Sequence, residues 1–170
     1  SVGVMKLSGD GQVVDKYVFG PLVMGSNSIV SGDLLDDGRL ILALSNNSIA
    51  LVDLNASLLT PPPKTYVKTV QATTLSRINW IAPIPSVPGR VLIKTSDKVV
   101  LYDYGSGSVV QDISLTSDDE VIKLSKSYDP HVVVRTSSTS MRLIYTDGAA
   151  LLTRDFDLSS RTVGTTQVTP

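Results

Sequence analysis

At 170 residues the chain is long enough for one well-buried core, since a domain of roughly 150 residues buries about 68–70% of its extended surface. Fifteen Lys and Arg against sixteen Asp and Glu leave a net charge of −1 and a pI near 5.7, which provides no electrostatic footprint for direct binding of nucleic acid or anionic lipid. Cysteine is absent, so disulfides, thiolate metal sites and Cys nucleophiles are excluded together, and the longest apolar runs, Ile49 to Val52 and Val99 to Tyr102, fall far short of the roughly 20 residues of a membrane helix.

The chain opens in a strand pattern: Val2 to Leu7, the turn Ser8-Gly9-Asp10-Gly11, then Gln12 to Val18. With no charged and then apolar leader at Ser1, this start reads as the second half of a repeat unit in a fragment of a longer protein. A full unit follows, with Asp37-Gly38 turning into the apolar run Arg39 to Leu44, a tight turn at Ser45-Asn46-Asn47, and a second run from Ser48 to Leu54. Thr60-Pro61-Pro62-Pro63 cannot enter a central strand because proline lacks the ladder N–H, so residues 60–64 are expected to form an exposed linker and a candidate docking arm.

The plan recurs at Pro88-Gly89 with Arg90 to Thr95, Ser96-Asp97-Lys98 and Val99 to Tyr104, and again at Asp129-Pro130 with His131 to Thr136 and Met141 to Thr146. Each second run leads through a small polar turn to a further strand, Gly105-Ser106-Gly107-Ser108 into Val109 to Ile113, and Asp147-Gly148 into Leu151 to Phe156. Leu7, Leu54, Tyr104 and Thr146 hold equivalent places at spacings of 47, 50 and 42 residues, close to the ~40–50-residue period of propeller blades. β-Branched and aromatic residues fill the runs, and Gly, Asp, Asn and Ser supply the turn conformations. Ser117 to Ser127 has a start suited to a helix cap, but Val121, Ile122 and Leu124 equally suit a strand opening a unit, which is the assignment preferred.

From Ile78 to Leu115 the chain resembles the WD40-like propeller family. Ile78-Asn79-Trp80-Ile81-Ala82-Pro83 looks like the inner strand of a blade, Gly89 to Lys94 like its second strand, and Val100 to Tyr104 like its third. Tyr102-Asp103 stands at the family's Trp-Asp position and Val52-Asp53 matches it one unit earlier, although no Gly-His dipeptide precedes a blade and Tyr145 replaces the Asp in the last unit. Coatomer-type and pyrroloquinoline-type propellers are similarly matched. The resemblance implies structural hydrogen bonds for Asp53 and Asp103. The expected fold is an all-β propeller or partial propeller in one domain over residues 1–170, about three and a half four-stranded units at roughly 1–20, 28–70, 75–115 and 120–158. A ring of 4–8 blades needs more than this, so the chain continues, a partner chain completes the ring, or the sheets close as a sandwich.

Residues suited to chemistry are sparse. The sole histidine, His131, follows Asp129-Pro130 in a turn and reads as a strand-edge residue. Without Cys, a metal would depend on carboxylates, and neither Asp33, Asp36 and Asp37 nor Asp118, Asp119 and Glu120 has EF-hand spacing, so both read as solvated turn acids. Ser8 to Gly11 and Gly105 to Ser108 precede strands rather than helices and are hairpin turns, not phosphate cradles. No catalytic residue, metal ligand or cofactor is assigned. Trp80, the only tryptophan, reads as a core residue from its place in an inner strand, with an interface anchor as the alternative. Sequons at Asn46 and Asn55 keep a secretory lumen in view beside the slightly favoured cytoplasmic or nuclear setting. The function expected is a non-catalytic scaffold within a multiprotein assembly, with Pro61, Pro62, Pro63, Asp118, Asp119, Glu120 and Trp80 as candidate partner contacts. The rivals are a propeller hydrolase or lyase with a channel site and a glycan or small-molecule module, each requiring a pocket of convergent polar side chains.

Overall fold

The computed structural model describes residues 2–19, 25–53, 67–126 and 129–170, and every regular element in them is a strand. β1 (Val2–Leu7) and β2 (Val13–Phe19) pair as an antiparallel hairpin. A first sheet runs in chain order through β3 (Ile29–Leu34), β4 (Arg39–Leu44), β5 (Ile49–Asp53) and β6 (Val67–Gln71). The central sheet consists of β7 (Ile78–Pro83), β8 (Arg90–Thr95), β9 (Lys98–Asp103) and β10 (Ser108–Ser114), again antiparallel throughout. In the last sheet β11 (Glu120–Ser125), β12 (His131–Arg135), β13 (Ser140–Thr146) and β14 (Leu151–Asp157) follow the same order. Two-residue strands β15 (Thr162–Val163) and β16 (Gln167–Val168) add to the far edge of β14. That sheet thus runs past residue 158, where the alternating pattern ends, because strands of two residues are too short to show a period.

Alternation along the strands decides the stacking. Ile41, Ala43, Ile49 and Leu51 of the first sheet meet Ile78, Ile81, Val91, Ile93, Val100 and Tyr102 on one face of the central sheet. Its other face carries Trp80, Ala82, Leu92, Val99 and Leu101 against Val132, Val134, Ile144 and Leu151 of the last sheet. Burying one Leu, Ile or Val side chain contributes about 1.5–3 kcal/mol, so these two apolar layers dominate the stability of the stack. First strands lie together on the inside of the arc: the Ile81 N–H donates to Ser31 Oγ at 3.2 Å, joining β7 to β3. Beyond β11, Lys126 Nζ reaches the same strand, donating to Ser31 Oγ at 3.2 Å and Gly32 O at 3.0 Å. Four-stranded antiparallel sheets packed face to face in chain order, with their first strands innermost, make this a partial β-propeller.

Candidate interaction surfaces

At one end of the arc the β3–β4 turn approaches the β7–β8 loop. The turn is closed by Gly38 N donating to Leu35 O at 3.0 Å and Leu35 N to Arg39 O at 2.7 Å. Arg39 pairs with Asp37 at 2.7 Å and lies over the Tyr104 ring, 5.7 Å from its centroid. The hydrogen bond from the Arg39 side chain holds the Asp37 carboxyl below its ordinary value. Across the gap, Tyr104 is fixed twice to Gly89, whose N–H donates to the phenol oxygen at 2.8 Å and whose carbonyl accepts Tyr104 N at 2.8 Å. Between the loops lies a cleft of about 260 Å³. Leu35, Ile84 and Tyr104 form its buried floor; Pro83, Val87 and Pro88 wall it, and Asp36, Asp37 and Arg90 bring charge to it.

The same loop touches the last sheet. Arg90 Nη1 donates to Gly148 O and, at 3.1 Å, to Ala149 O, while its Nε lies 4.0 Å from Asp103 Oδ2. Gly148 has φ +90°, and a Cβ there would lie 2.6 Å from Val87 Cγ2, so both backbone conformation and close approach require glycine.

A second surface is the face of the last sheet turned away from the central sheet. Register places Val133 opposite Leu143 and Met141 opposite Phe156, and these four with Tyr145 are only partly buried. The equivalent faces of the first and central sheets are closed: Ile41, Ala43 and Ile49 of the first and Ala82, Leu92, Val99 and Leu101 of the central sheet are fully buried. Ile122 and Leu124 on β11 and Val30 and Leu34 on β3 add exposed apolar groups at the innermost strands.

The residues singled out in the sequence are scattered. Pro61, Pro62, Pro63 and the Asn55 sequon lie outside the described residues. Trp80 is 8% exposed within the layer between central and last sheets, the core place expected from its inner strand and not the anchor alternative, because the last sheet covers it. Asp119 accepts Thr116 N at 2.7 Å as a turn acid, Glu120 pairs with Arg135 at 3.4 Å on the surface, and Asp118 is exposed. Asp118 and Asp119 lie in the β10–β11 connection and Glu120 opens β11, at the opposite end of the strands from the cleft. His131 opens β12, its Nδ1 donating to Asp129 O at 2.7 Å. Among the described residues no three His, Cys, Asp or Glu side chains gather in metal-holding geometry. Asp33 accepts Leu34 N at 2.8 Å, and Asp36 receives Ser86 N at 3.4 Å. Asp103 accepts Ser106 N at 2.9 Å, a bond within its own blade that lowers its carboxyl pKa. Gly107 N bonds Asp103 O at 2.9 Å and Gly11 N bonds Ser8 O at 2.9 Å, the closures of hairpin turns. Asn46 sits exposed in the β4–β5 turn, its Oδ1 accepting Ser48 N at 3.2 Å.

Other residues carry the contacts between sheets, and no sequence motif marks them. Gln71 on β6 donates to Tyr104 O at 2.6 Å and accepts the Tyr102 hydroxyl at 3.3 Å. Gln111 on β10 repeats this against the last sheet, accepting Leu151 N and donating to Thr169 O, both at 2.7 Å. Burial pushes the Lys126 ammonium pKa down, with Asp33 acting in the opposite sense.

No protein-family model matches the chain, and no curated protein matches it. Among solved structures, Hsv2 of Kluyveromyces lactis is similar at 12% identity and a TM-score of 0.40, over 84% of this chain and 50% of that one. A structure described as the Dos1 propeller is similar at 15% identity and a TM-score of 0.44, over 98% of this chain and 42% of that one. A protein of unknown function from Bacteroides caccae is similar at 12% identity and a TM-score of 0.41, over 97% of this chain and 53% of that one. The chain spans about half the length of the solved structures it matches, and at these identities and TM-scores the similarity says nothing of function.

Proposed function

We propose that the chain acts as a non-catalytic scaffold within a multiprotein assembly, a partial propeller that presents its end loops and one blade face to other proteins. The supporting observation is the contrast in burial: Val133, Met141, Leu143, Tyr145 and Phe156 stand partly exposed on the last sheet, while matching faces of the two sheets before it are closed. Five largely apolar side chains on one sheet face, interspersed with Arg154 opposite Leu143 and Arg135 opposite Met141, favour binding, because association removes their apolar area from water. Its occupant in this reading is a further antiparallel sheet, from another segment of the protein or from a partner, stacked as the first two interfaces are stacked.

The test is affinity purification of the intact protein with sizing by light scattering, beside Leu143→Lys. The expected outcome is a stoichiometric complex that the lysine variant loses at least tenfold in yield, while the melting temperature of the isolated 170-residue chain stays within a few degrees. A stable monomer with no co-eluting chain, or a complex indifferent to Leu143→Lys, overturns the proposal.

A further inference from the structure

We propose that the cleft between the β3–β4 turn and the β7–β8 loop receives an apolar side chain and its adjacent basic residue from an extended segment of a partner protein. This rests on the scaffold reading and assigns it a recognition chemistry. At about 260 Å³ the cleft lies below the roughly 300–1,000 Å³ of small-molecule and cofactor sites. Its apolar floor and walls suit an aliphatic side chain. Leu35, Ile84 and Val87 give it apolar contacts.

Charge selects the neighbour. Asp37 is paired with Arg39 at 2.7 Å, and Arg90 is shared between Asp103 at 4.0 Å and the carbonyls of Gly148 and Ala149. Asp36 is exposed on the turn, its carboxylate accepting the Ser86 N–H at 3.4 Å and, among the described residues, facing no cation. The rim thus holds one anionic charge in excess, which favours Lys or Arg and disfavours phosphate or an acidic segment.

The site is also stiff before anything binds. Tyr104 is held by two hydrogen bonds to Gly89, Pro83 and Pro88 limit the loop, and the opposing turn is closed by two backbone hydrogen bonds. Preorganisation of this kind lowers the ordering cost of binding.

The probe is a set of three acetylated hexapeptides carrying Leu-Arg, Leu-Gln or Leu-Glu at their centre, titrated against the ¹⁵N-labelled chain by NMR. Leu-Arg is expected to shift the amides of Leu35 to Arg39 and Val87 to Tyr104 and to bind up to about tenfold more tightly than Leu-Glu, the span of an exposed ion pair made or reversed. Asp36→Lys, on an exposed turn position, is expected to keep the fold and reverse that order. Equal binding of the three peptides, absence of shifts at 1 mM peptide on the order of a weak site, or an unchanged preference in Asp36→Lys overturns the inference. The Leu143→Lys experiment concerns a different sheet, so a failed cleft with an intact complex is distinct from failure of the scaffold reading.

Discussion

The central and last sheets have the same strand order and turn plan, yet their middle strands have different surroundings. In β8 and β9 every position from Val91 to Thr95 and from Val99 to Tyr102 is buried, whereas in β12 and β13 the buried positions are Val132, Val134 and Ile144. A strand flanked by sheets on both faces uses both of its side-chain rows as core, and one flanked on a single face uses one. The outer row of the last sheet keeps Val133, Met141 and Leu143 beside Arg135 and Arg154, and it is these apolar groups that carry the functional proposal.

The largest effect should come from removing the same atoms on the two sheets. Leu101→Ala, at a fully buried position of the central sheet, is expected to lose about 3–4 kcal/mol in urea unfolding of the isolated chain, with Leu143→Ala losing under about 1 kcal/mol. Equal losses would mean that the open face is covered within this chain.

A smaller effect tests how the sheets are joined at the cleft end. Gly148→Ala is expected to cost about 1–3 kcal/mol from the positive φ and the Val87 contact. Val87→Ala in the same molecule should recover the part due to the contact, and no recovery would place the whole cost in the backbone of the last sheet.

The smallest effect concerns a polar group set inside the stack. Lys94 is 5% exposed, opposite Trp80 in the ladder, and its ammonium donates to its neighbour's carbonyl, Thr95 O. Burial lowers its pKa, partly offset by Asp97. A lysine whose folded pKa is depressed destabilises the fold while charged, and the loss is relieved as pH rises through the folded value towards the ordinary 10.5. Lys94→Met is accordingly expected to stabilise the chain by about 1–2 kcal/mol at neutral pH, with the gain shrinking towards alkaline pH. A pH-independent gain would attribute the effect to packing alone.

Much of the fold was legible because strand and turn signals are local. Asp147-Gly148 and Gly105-Ser106-Gly107-Ser108 announce reversals, and the runs Arg90 to Thr95 and Val99 to Asp103 are strands for β-branched residues whatever surrounds them. The cleft was not legible, because Leu35, Ile84 and Tyr104 come from three separate connections and no local pattern shows that they meet. Gln71 and Gln111 were overlooked for the same reason: an isolated glutamine in a strand has no signature of the backbone groups it will satisfy. The core place of Trp80 followed from its inner strand, but the sheet that covers it was not legible, because it is contributed by residues some fifty to seventy positions later.

Strand positions, turn chemistry and the repeated unit were thus determined by the sequence itself, through steric preferences and alternation within a few residues. Which apolar rows became core, which row stayed open, and which two loops enclose a cleft were decided only by the stacking of sheets. Alternation assigns a side chain to one face of its strand; only the element lying against that face decides whether the side chain meets protein or water.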